Sequence, residues 1–153
     1  MKNNILVLGI GNILLKDEGV GIHVVKQLEQ EGLIGADLVD GGTGGFNLLG
    51  LIQSYKHVII IDASFDQYPT GHIQILHPKY SMDFPNWLSA HEIGLKDLID
   101  AAFLLGNVPD IHLVTVSVKN FQEIGMGLTP EVAQAVQDAG EKVKGLIRSL
   151  SLL

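Results

Sequence analysis

The sequence contains no cysteine, and this absence removes three kinds of chemistry. Without a thiol, the chain forms no disulfide, offers no thiolate to a metal ion and has no thiol nucleophile. Basic residues are also few: 10 lysines and arginines stand against 17 aspartates and glutamates, for a formal net charge of -7, and they form no cluster. Because phosphate backbones are bound by basic stripes, the sequence predicts no nucleic-acid partner.

Long apolar runs are missing as well. The longest ones, such as Val58–Ile61 and Leu113–Val118, have the length of a strand, whereas about 20 apolar residues are needed to span a bilayer. The first residues lack the apolar stretch and the small-residue cleavage site of a signal peptide. We therefore expect no membrane association and a cytoplasmic location. The balance of 46% apolar and 18% charged residues is typical of a packed globular enzyme.

The first half of the chain alternates between strand-like and helix-like segments. Its first and third strand candidates contain continuous runs of Ile, Leu and Val, which are typical of strands buried on both faces of a parallel sheet. Its helix candidates carry their apolar residues on one face. In chain order, the pattern predicts a strand over Asn4–Ile10, a helix over Asp17–Glu31, a strand over Ala36–Val39, a helix over Phe46–Tyr55 and a strand over His57–Ile61 that stops at Asp62.

The second half continues this alternation with one exception. His72–Leu76 reads as a strand whose short connection to the preceding strand favours an antiparallel placement. A capping-box spacing at residues 89–92 precedes a helix that ends near Gly106. A strand over Ile111–Val118 and a helix that follows Thr129 come last. The whole chain, 1–153, is thus predicted to form a single three-layer α/β domain, with a mostly parallel twisted sheet of about five strands and helices on both faces.

Acidic residues follow three of the predicted parallel strands. Glu18 comes after the first strand, Asp40 ends the second and Asp62 ends the third, while His91 enters the first turn of a later helix. The carboxyl ends of parallel strands meet at one edge of a sheet, and ligands bind there. Two carboxylates and an imidazole suit a borderline divalent ion with one position left open for substrate. Glu18, Asp62 and His91 are therefore the candidate metal-binding set.

Each of these residues also has a purely structural interpretation. Asp62 is placed well to cap a turn, Glu18 complements a helix N-terminus, and His91 suits a capping or surface position. The sequence alone leaves both interpretations open. A solvated role is expected for the other histidines, which are His23, His57, His72, His77 and His112.

The segment Gly9–Leu14 suggests a second kind of site, a dinucleotide-binding turn. Asp40 would then be the acid that binds a ribose. Two features weigh against this alternative. Leu14 stands where a third glycine is expected, and the segment Asn12–Lys16 is too long and apolar to start a helix directly beneath a pyrophosphate.

Five segments taken together resemble the hydrogenase maturation protease family. Their order matches the family's order, and the region of similarity around them runs from residue 5 to beyond residue 130. They are the opening GIGNILLKDEGVG at 9–21, the loop DGGTGG at 40–45, Asp62-Ala63, SAHE at 89–92 and GLTP at 127–130. One departure is Ala90, where the family commonly has proline before the histidine.

The resemblance implies an endopeptidase that removes the C-terminal extension of a [NiFe] hydrogenase large-subunit precursor after nickel insertion. It assigns catalysis and metal contact to Glu18, Asp62 and His91. Substrate recognition falls to the glycine-rich loop, which is Asp40, Gly41, Gly42 and Thr43. The nickel is expected to be borne by the substrate, with no tightly bound metal in the resting enzyme. A non-catalytic nickel metallochaperone with the same ligands is the alternative.

Overall fold

The sheet at the centre of the fold is built from the apolar runs of the sequence. The computed structural model describes residues 3–43, 45, 47–80, 83, 95–119 and 124–153. Its strands are β1 (Ile5–Gly9), β2 (Asp37–Asp40), β3 (His57–Ser64), β4 (Ile73–Leu76) and β5 (Asp110–Ser117). They form one sheet in the order β2-β1-β3-β5-β4, in which only β4 runs antiparallel to its neighbour. The predicted mostly parallel sheet and the antiparallel placement of β4 are confirmed.

Helices cover both faces of this sheet. They are α1 (Val20–Gln30), α2 (Asn47–Gln53), α3 (Leu95–Leu105) and α4 (Pro130–Leu150), and a 3-10 helix (Lys16–Gly19) precedes α1. The helices α1 and α4 share one apolar core with the sheet, and α2 and α3 share the other. The predicted three-layer α/β arrangement is thereby confirmed. Among the described helices, none has both the length and the apolar character that crossing a membrane requires.

Successive residues of the central strand β3 point into opposite cores. Ile59 and Ile61 pack toward α1 and α4, whereas Val58 and Ile60 pack toward α2 and α3. All four side chains are fully buried. Burial of each such side chain contributes about 1.5–3 kcal/mol to the transfer free energy that holds the layers together.

Two predicted boundaries differ from the structure near the carboxyl edge of the sheet. The strand predicted to stop at Asp62 continues to Ser64, because its pairing with β5 extends to Ser117. Asp62 therefore lies inside a strand. The helix predicted from Asp17 begins as the 3-10 helix and becomes α-helical only at Val20, because the chain must first fold back against β1 and β3. The capping box predicted at residues 89–92 lies outside the described residues.

The expectation that the remaining histidines are solvated is wrong for two of them. His57 is buried at the start of β3, where its Nδ1 lies 2.8 Å from Asp110 Oδ2. The His112 side chain, on β5, is only 13% exposed. Both strands lie inside the sheet, so their side chains are covered from both faces.

Candidate active site

The loop that carries Glu18 is packed backbone against backbone. A Cβ placed on Gly21 would lie 2.3 Å from the Ile61 carbonyl oxygen, and one on Gly11 would lie 2.4 Å from the Glu18 carbonyl oxygen. Real Cβ atoms do not approach oxygen so closely, so only glycine allows these contacts. The glycines of the opening segment therefore hold the 3-10 helix directly against the ends of β1 and β3.

A second set of contacts ties the same loop to the start of α4. Asp17 is buried, and its carboxylate accepts hydrogen bonds from the Thr129 N–H and the Thr129 hydroxyl, both at 2.8 Å. The Lys16 N–H donates to the Gly125 carbonyl at 2.9 Å, and the Gly125 N–H donates to the Leu14 carbonyl at 2.8 Å. Asp17 thus has a structural role: it fixes the loop that carries Glu18 against the start of α4.

Glu18 and Asp62 are both brought to the carboxyl edge of the sheet and both are buried. Glu18 is 1% exposed and Asp62 is fully buried. The 3-10 helix that contains Glu18 contacts β3, which contains Asp62. Burial raises the pKa of Glu18, because desolvation disfavours its charged form. Asp62 Oδ1 accepts a hydrogen bond of 2.8 Å from the Ala63 N–H.

Asp62 faces the core that α2 and α3 cover. It has the same parity in β3 as Val58 and Ile60, which belong to that core. Leu95, the first residue of α3, belongs to it as well. His91, the third predicted site residue, precedes Leu95 by four positions in the sequence and lies outside the described residues.

A row of polar residues, which was not predicted from the sequence, crosses the sheet beside Asp62. In the strand register Asp62 pairs with Thr115, and Thr115 pairs with Gln74 of β4. Thr115 and Ser117 are buried, and neither hydroxyl oxygen has a hydrogen-bond partner within the part of the chain that the structure describes. In the sequence, Thr115 and Ser117 alternate with valines, and this pattern by itself indicates only a β-branched strand.

An open cleft begins where β3 ends. Its volume is about 580 Å³, and its described lining consists of Phe65, Asp66, Gln67, Tyr68 and Gln74. Gln74 belongs both to this lining and to the polar row beside Asp62. A peptide segment bound in this cleft would therefore lie close to the buried carboxylates.

The glycine-rich loop predicted for substrate recognition borders a second cleft. Its volume is about 320 Å³, and Asp40, Gly42 and Thr43 face the loop residues from Gly11 to Leu14 across it. Asp40 Oδ1 accepts a hydrogen bond of 2.8 Å from the Gly42 N–H, which fixes the turn. The fourth residue of the set, Gly41, donates its N–H to the Gly9 carbonyl at 2.8 Å.

These contacts argue against a dinucleotide at this position. The space in front of α1, where a pyrophosphate would sit, holds the chain's own loop, since a Cβ on Gly19 would lie 2.7 Å from Ile13 Cα. Asp40, the proposed ribose acid, uses Oδ1 to fix its own turn.

The comparisons with known proteins agree with this architecture. The sequence model of the hydrogenase maturation protease family matches residues 22–145. The chain belongs to this family. It is 36% identical over 148 residues to the hydrogenase 2 maturation protease of Escherichia coli (strain K12), covering 94% of this chain and 90% of that protein. It is 32% identical over 140 residues to the hydrogenase expression/formation protein HupD of Bradyrhizobium diazoefficiens, covering 88% and 72%.

Solved structures of hydrogenase maturation proteases share the fold over nearly the whole chain. The hydrogenase maturating endopeptidase HybD from E. coli superposes with a TM-score of 0.84, covering 97% of this chain and 93% of that one. The [NiFe] hydrogenase maturation protease HybD from Thermococcus kodakarensis superposes with a TM-score of 0.77 at 27% identity, covering 96% and 99%. The chain is therefore a peptidase that takes part in hydrogenase maturation, and family membership favours this activity over a non-catalytic metallochaperone.

Proposed function

We propose that this hydrogenase maturation protease removes the C-terminal extension of a [NiFe] hydrogenase large-subunit precursor, and that it recognises the precursor by the nickel already inserted there. The observation that carries the proposal is the placement of two buried carboxylates, those of Glu18 and Asp62, at one edge of the sheet. Buried carboxylates need hydrogen-bond donors or a cation to offset the loss of solvation. A metal-bearing substrate supplies such a cation.

The absence of cysteine supports a substrate that brings the soft ligands of the nickel ion itself. In this proposal the precursor's thiolates hold the nickel, and Glu18, Asp62 and His91 complete its coordination from the enzyme. Carboxylate and imidazole ligands fit a borderline divalent ion with positions shared between two proteins. Since the ion arrives with the substrate, the resting enzyme needs no tightly bound metal of its own.

Hydrolysis then adds one water molecule across the scissile peptide bond. The water oxygen enters the new carboxylate, and the leaving nitrogen takes up a proton. The substrate's nickel fixes the peptide in place, and either polarises its carbonyl or activates the water. In a second version of the step, Glu18 or Asp62 takes the proton from the attacking water as general base.

The two clefts support a division of substrate binding. The larger cleft begins with Phe65, three residues beyond Asp62, and suits the extended segment around the scissile bond. The smaller cleft is bordered by Asp40, Gly42 and Thr43. It suits discrimination between precursors, because the loop that contains these residues is hydrogen-bonded to the loop that carries Glu18. We therefore propose Asp40, Gly41, Gly42 and Thr43 as the substrate-recognition segment.

The test compares nickel-loaded with nickel-free large-subunit precursor, using intact-protein mass spectrometry to follow loss of the C-terminal extension. The wild type should trim only the loaded precursor. Asp62→Asn, Glu18→Gln and His91→Ala should each leave it uncut. Asp100→Asn is the matched control, because Asp100 lies on the surface of α3 with its side chain 40% exposed, and this variant should cut normally.

Each part of the proposal has a result that contradicts it. Equal trimming of loaded and nickel-free precursor would remove nickel as the recognition element. Normal trimming by both Asp62→Asn and His91→Ala would remove the proposed catalytic set. Cleavage elsewhere than at the C-terminal extension would exclude the proposed substrate bond.

A further inference from the structure

A second group of metal-ligating side chains lies at the opposite edge of the sheet. His77 follows the last residue of β4, and Asp110 and His112 lie at the start of β5. His77 Nε2 is 2.5 Å from Asp110 Oδ1, and His112 Nδ1 is 3.6 Å from Asp110 Oδ2. The rings of His77 and His112 stack, with centroids 4.0 Å apart and planes 8° apart.

We propose that His77, Asp110 and His112 form a binding site for a divalent transition-metal ion of the zinc class. One ligand atom from each residue can be chosen so that all three lie within 4.8 Å of one another. Ligand atoms on a tetrahedral zinc ion, with bonds of about 2.0–2.1 Å, are about 3.4 Å apart. Because the rings of His77 and His112 are stacked, at least the exposed His77 ring must turn about its side-chain bonds until its nitrogen lone pair points at the ion. Two imidazoles and one carboxylate form a common ligand set for zinc.

The surroundings of Asp110 resemble the support that a metal ligand receives in proteins. His57 is buried and lies 2.8 Å from Asp110 Oδ2, while Asp110 Oδ1 is directed at His77. A hydrogen bond from His57 would orient the carboxylate so that Oδ1 is presented to the ion, which is how second ligand shells operate. The Nε2 proton of His77 would move to Nδ1 or leave to solvent when the ion binds.

The site is open to solvent on one side. The His77 side chain is 47% exposed, and His77 and Asp110 both border a cleft of about 290 Å³. A metal ion can therefore enter from solvent, and water can fill its fourth position. The His112 Nδ1 atom is buried without a hydrogen-bond partner among the described residues, so in the tautomer that carries its proton on Nε2 the Nδ1 lone pair is available for ligation.

This site is separate from the candidate active site. His57 and Asp62 lie on the same strand five residues apart, and five strand residues span about 17 Å. The inference therefore does not rest on the proposed nickel-dependent cleavage. Its physical consequence is local: an ion held by His77 and by two residues of β5 would tie the edge strand β4 to the centre of the sheet.

The experiment is a titration of the purified protein with zinc chloride, followed by calorimetry and by NMR of the histidine ring nitrogens. In the wild type, the ring signals of His77 and His112 should shift with one equivalent of zinc, whereas those of His23 and His72 should not. His77→Gln should weaken zinc binding at least tenfold, and His57→Gln should weaken it by about 10- to 100-fold. His72→Gln, which changes a histidine near the other end of β4, is the matched control and should bind zinc as the wild type does.

Two results would overturn the proposal. One is that zinc shifts no histidine signal of His77 or His112 in the wild-type protein, a measurement that does not depend on any variant folding. The other is that His77→Gln, shown by circular dichroism to be folded, binds zinc as tightly as the wild type. If Asp62→Asn abolished the binding instead, the ion would belong to the other edge of the sheet and this site would be rejected.

Discussion

Replacing Gly21 with alanine should damage both stability and activity, because the added methyl group has no space. The new Cβ would lie 2.3 Å from the Ile61 carbonyl oxygen and 2.5 Å from the Ile10 carbonyl oxygen. A comfortable carbon-to-oxygen contact is about 3.3 Å or longer, so α1 must move away from β1 and β3 by about 1 Å. Neither oxygen can rotate away, because both belong to the backbone beneath the helix.

The size of the effect follows from this displacement. Overpacking of a core costs about 1–3 kcal/mol when side chains can adjust, and here backbone atoms oppose the methyl group, so we expect about 3 kcal/mol or more. For a domain of this length, that loss lowers the Tm by about 6–12 °C. The same movement carries the 3-10 helix with Glu18, the proposed catalytic carboxylate, and a misplacement of about 1 Å in a catalytic group can reduce the rate about 100-fold.

Urea denaturation and precursor cleavage measure the two effects separately. Gly50→Ala is the matched control, since Gly50 lies in α2 and an added Cβ there meets nothing within 4 Å. That variant should gain about 0.5–1 kcal/mol from the better helix propensity of alanine. If Gly21→Ala were as stable and as active as the wild type, the close packing of the opening segment 9–21 against β1 and β3 would not matter for stability or activity, and the prediction would be refuted.

Three further predictions concern single side chains. Burial raises the pKa of Glu18 above its ordinary value of 4.5, so the wild type should lose stability as the pH rises above 4.5 through this raised value. Glu18→Gln should therefore be more stable than the wild type at neutral pH but not at pH 4. Urea denaturation that shows no such pH-dependent difference between the two proteins would contradict this. Thr129→Val leaves one oxygen of the buried Asp17 carboxylate without its hydroxyl donor and should cost about 1–3 kcal/mol in urea, whereas an unchanged midpoint would show that this bond contributes nothing. Burial and the adjacent Asp37 raise the pKa of Tyr55 from the ordinary value of 10.0 to about 12, so a spectrophotometric titration should show a phenol that ionises near pH 12. Asp37→Asn should lower that pKa, and an unchanged value would remove Asp37 as a cause.

The predictable part of the fold is the part that follows from apolar periodicity. The runs around Val7 and Ile60 contain no polar interruption, so their burial on both faces could be predicted from the sequence. The point where β3 ends could not, because Asp62 and Ser64 are polar residues that remain in the strand by pairing with Thr115 and Ser117. Such boundaries depend on a neighbour about 50 residues away in the chain, which local patterns do not contain.

For the candidate site, chain order was sufficient to bring Glu18 and Asp62 to one edge, because parallel strands end together. Their burial was not predictable, since it depends on the glycine contacts that press the 3-10 helix onto the sheet. The histidine cluster around Asp110 was missed for a related reason. His57, His77 and His112 have no common spacing in the sequence, and only the pairing of β3, β5 and β4 brings them together.

The hydrogen bonds from Thr129 to Asp17 have a consequence for when activity can arise during synthesis. They join positions 112 residues apart, and the contacts between Lys16 and Gly125 span nearly the same interval. A ribosome-bound chain that has not yet released the start of α4 therefore lacks the contacts that hold the segment with Glu18. Such an unfinished chain should be unable to cut any protein it meets, because the contacts that hold the proposed catalytic carboxylate of Glu18 form only after the start of α4 has left the ribosome.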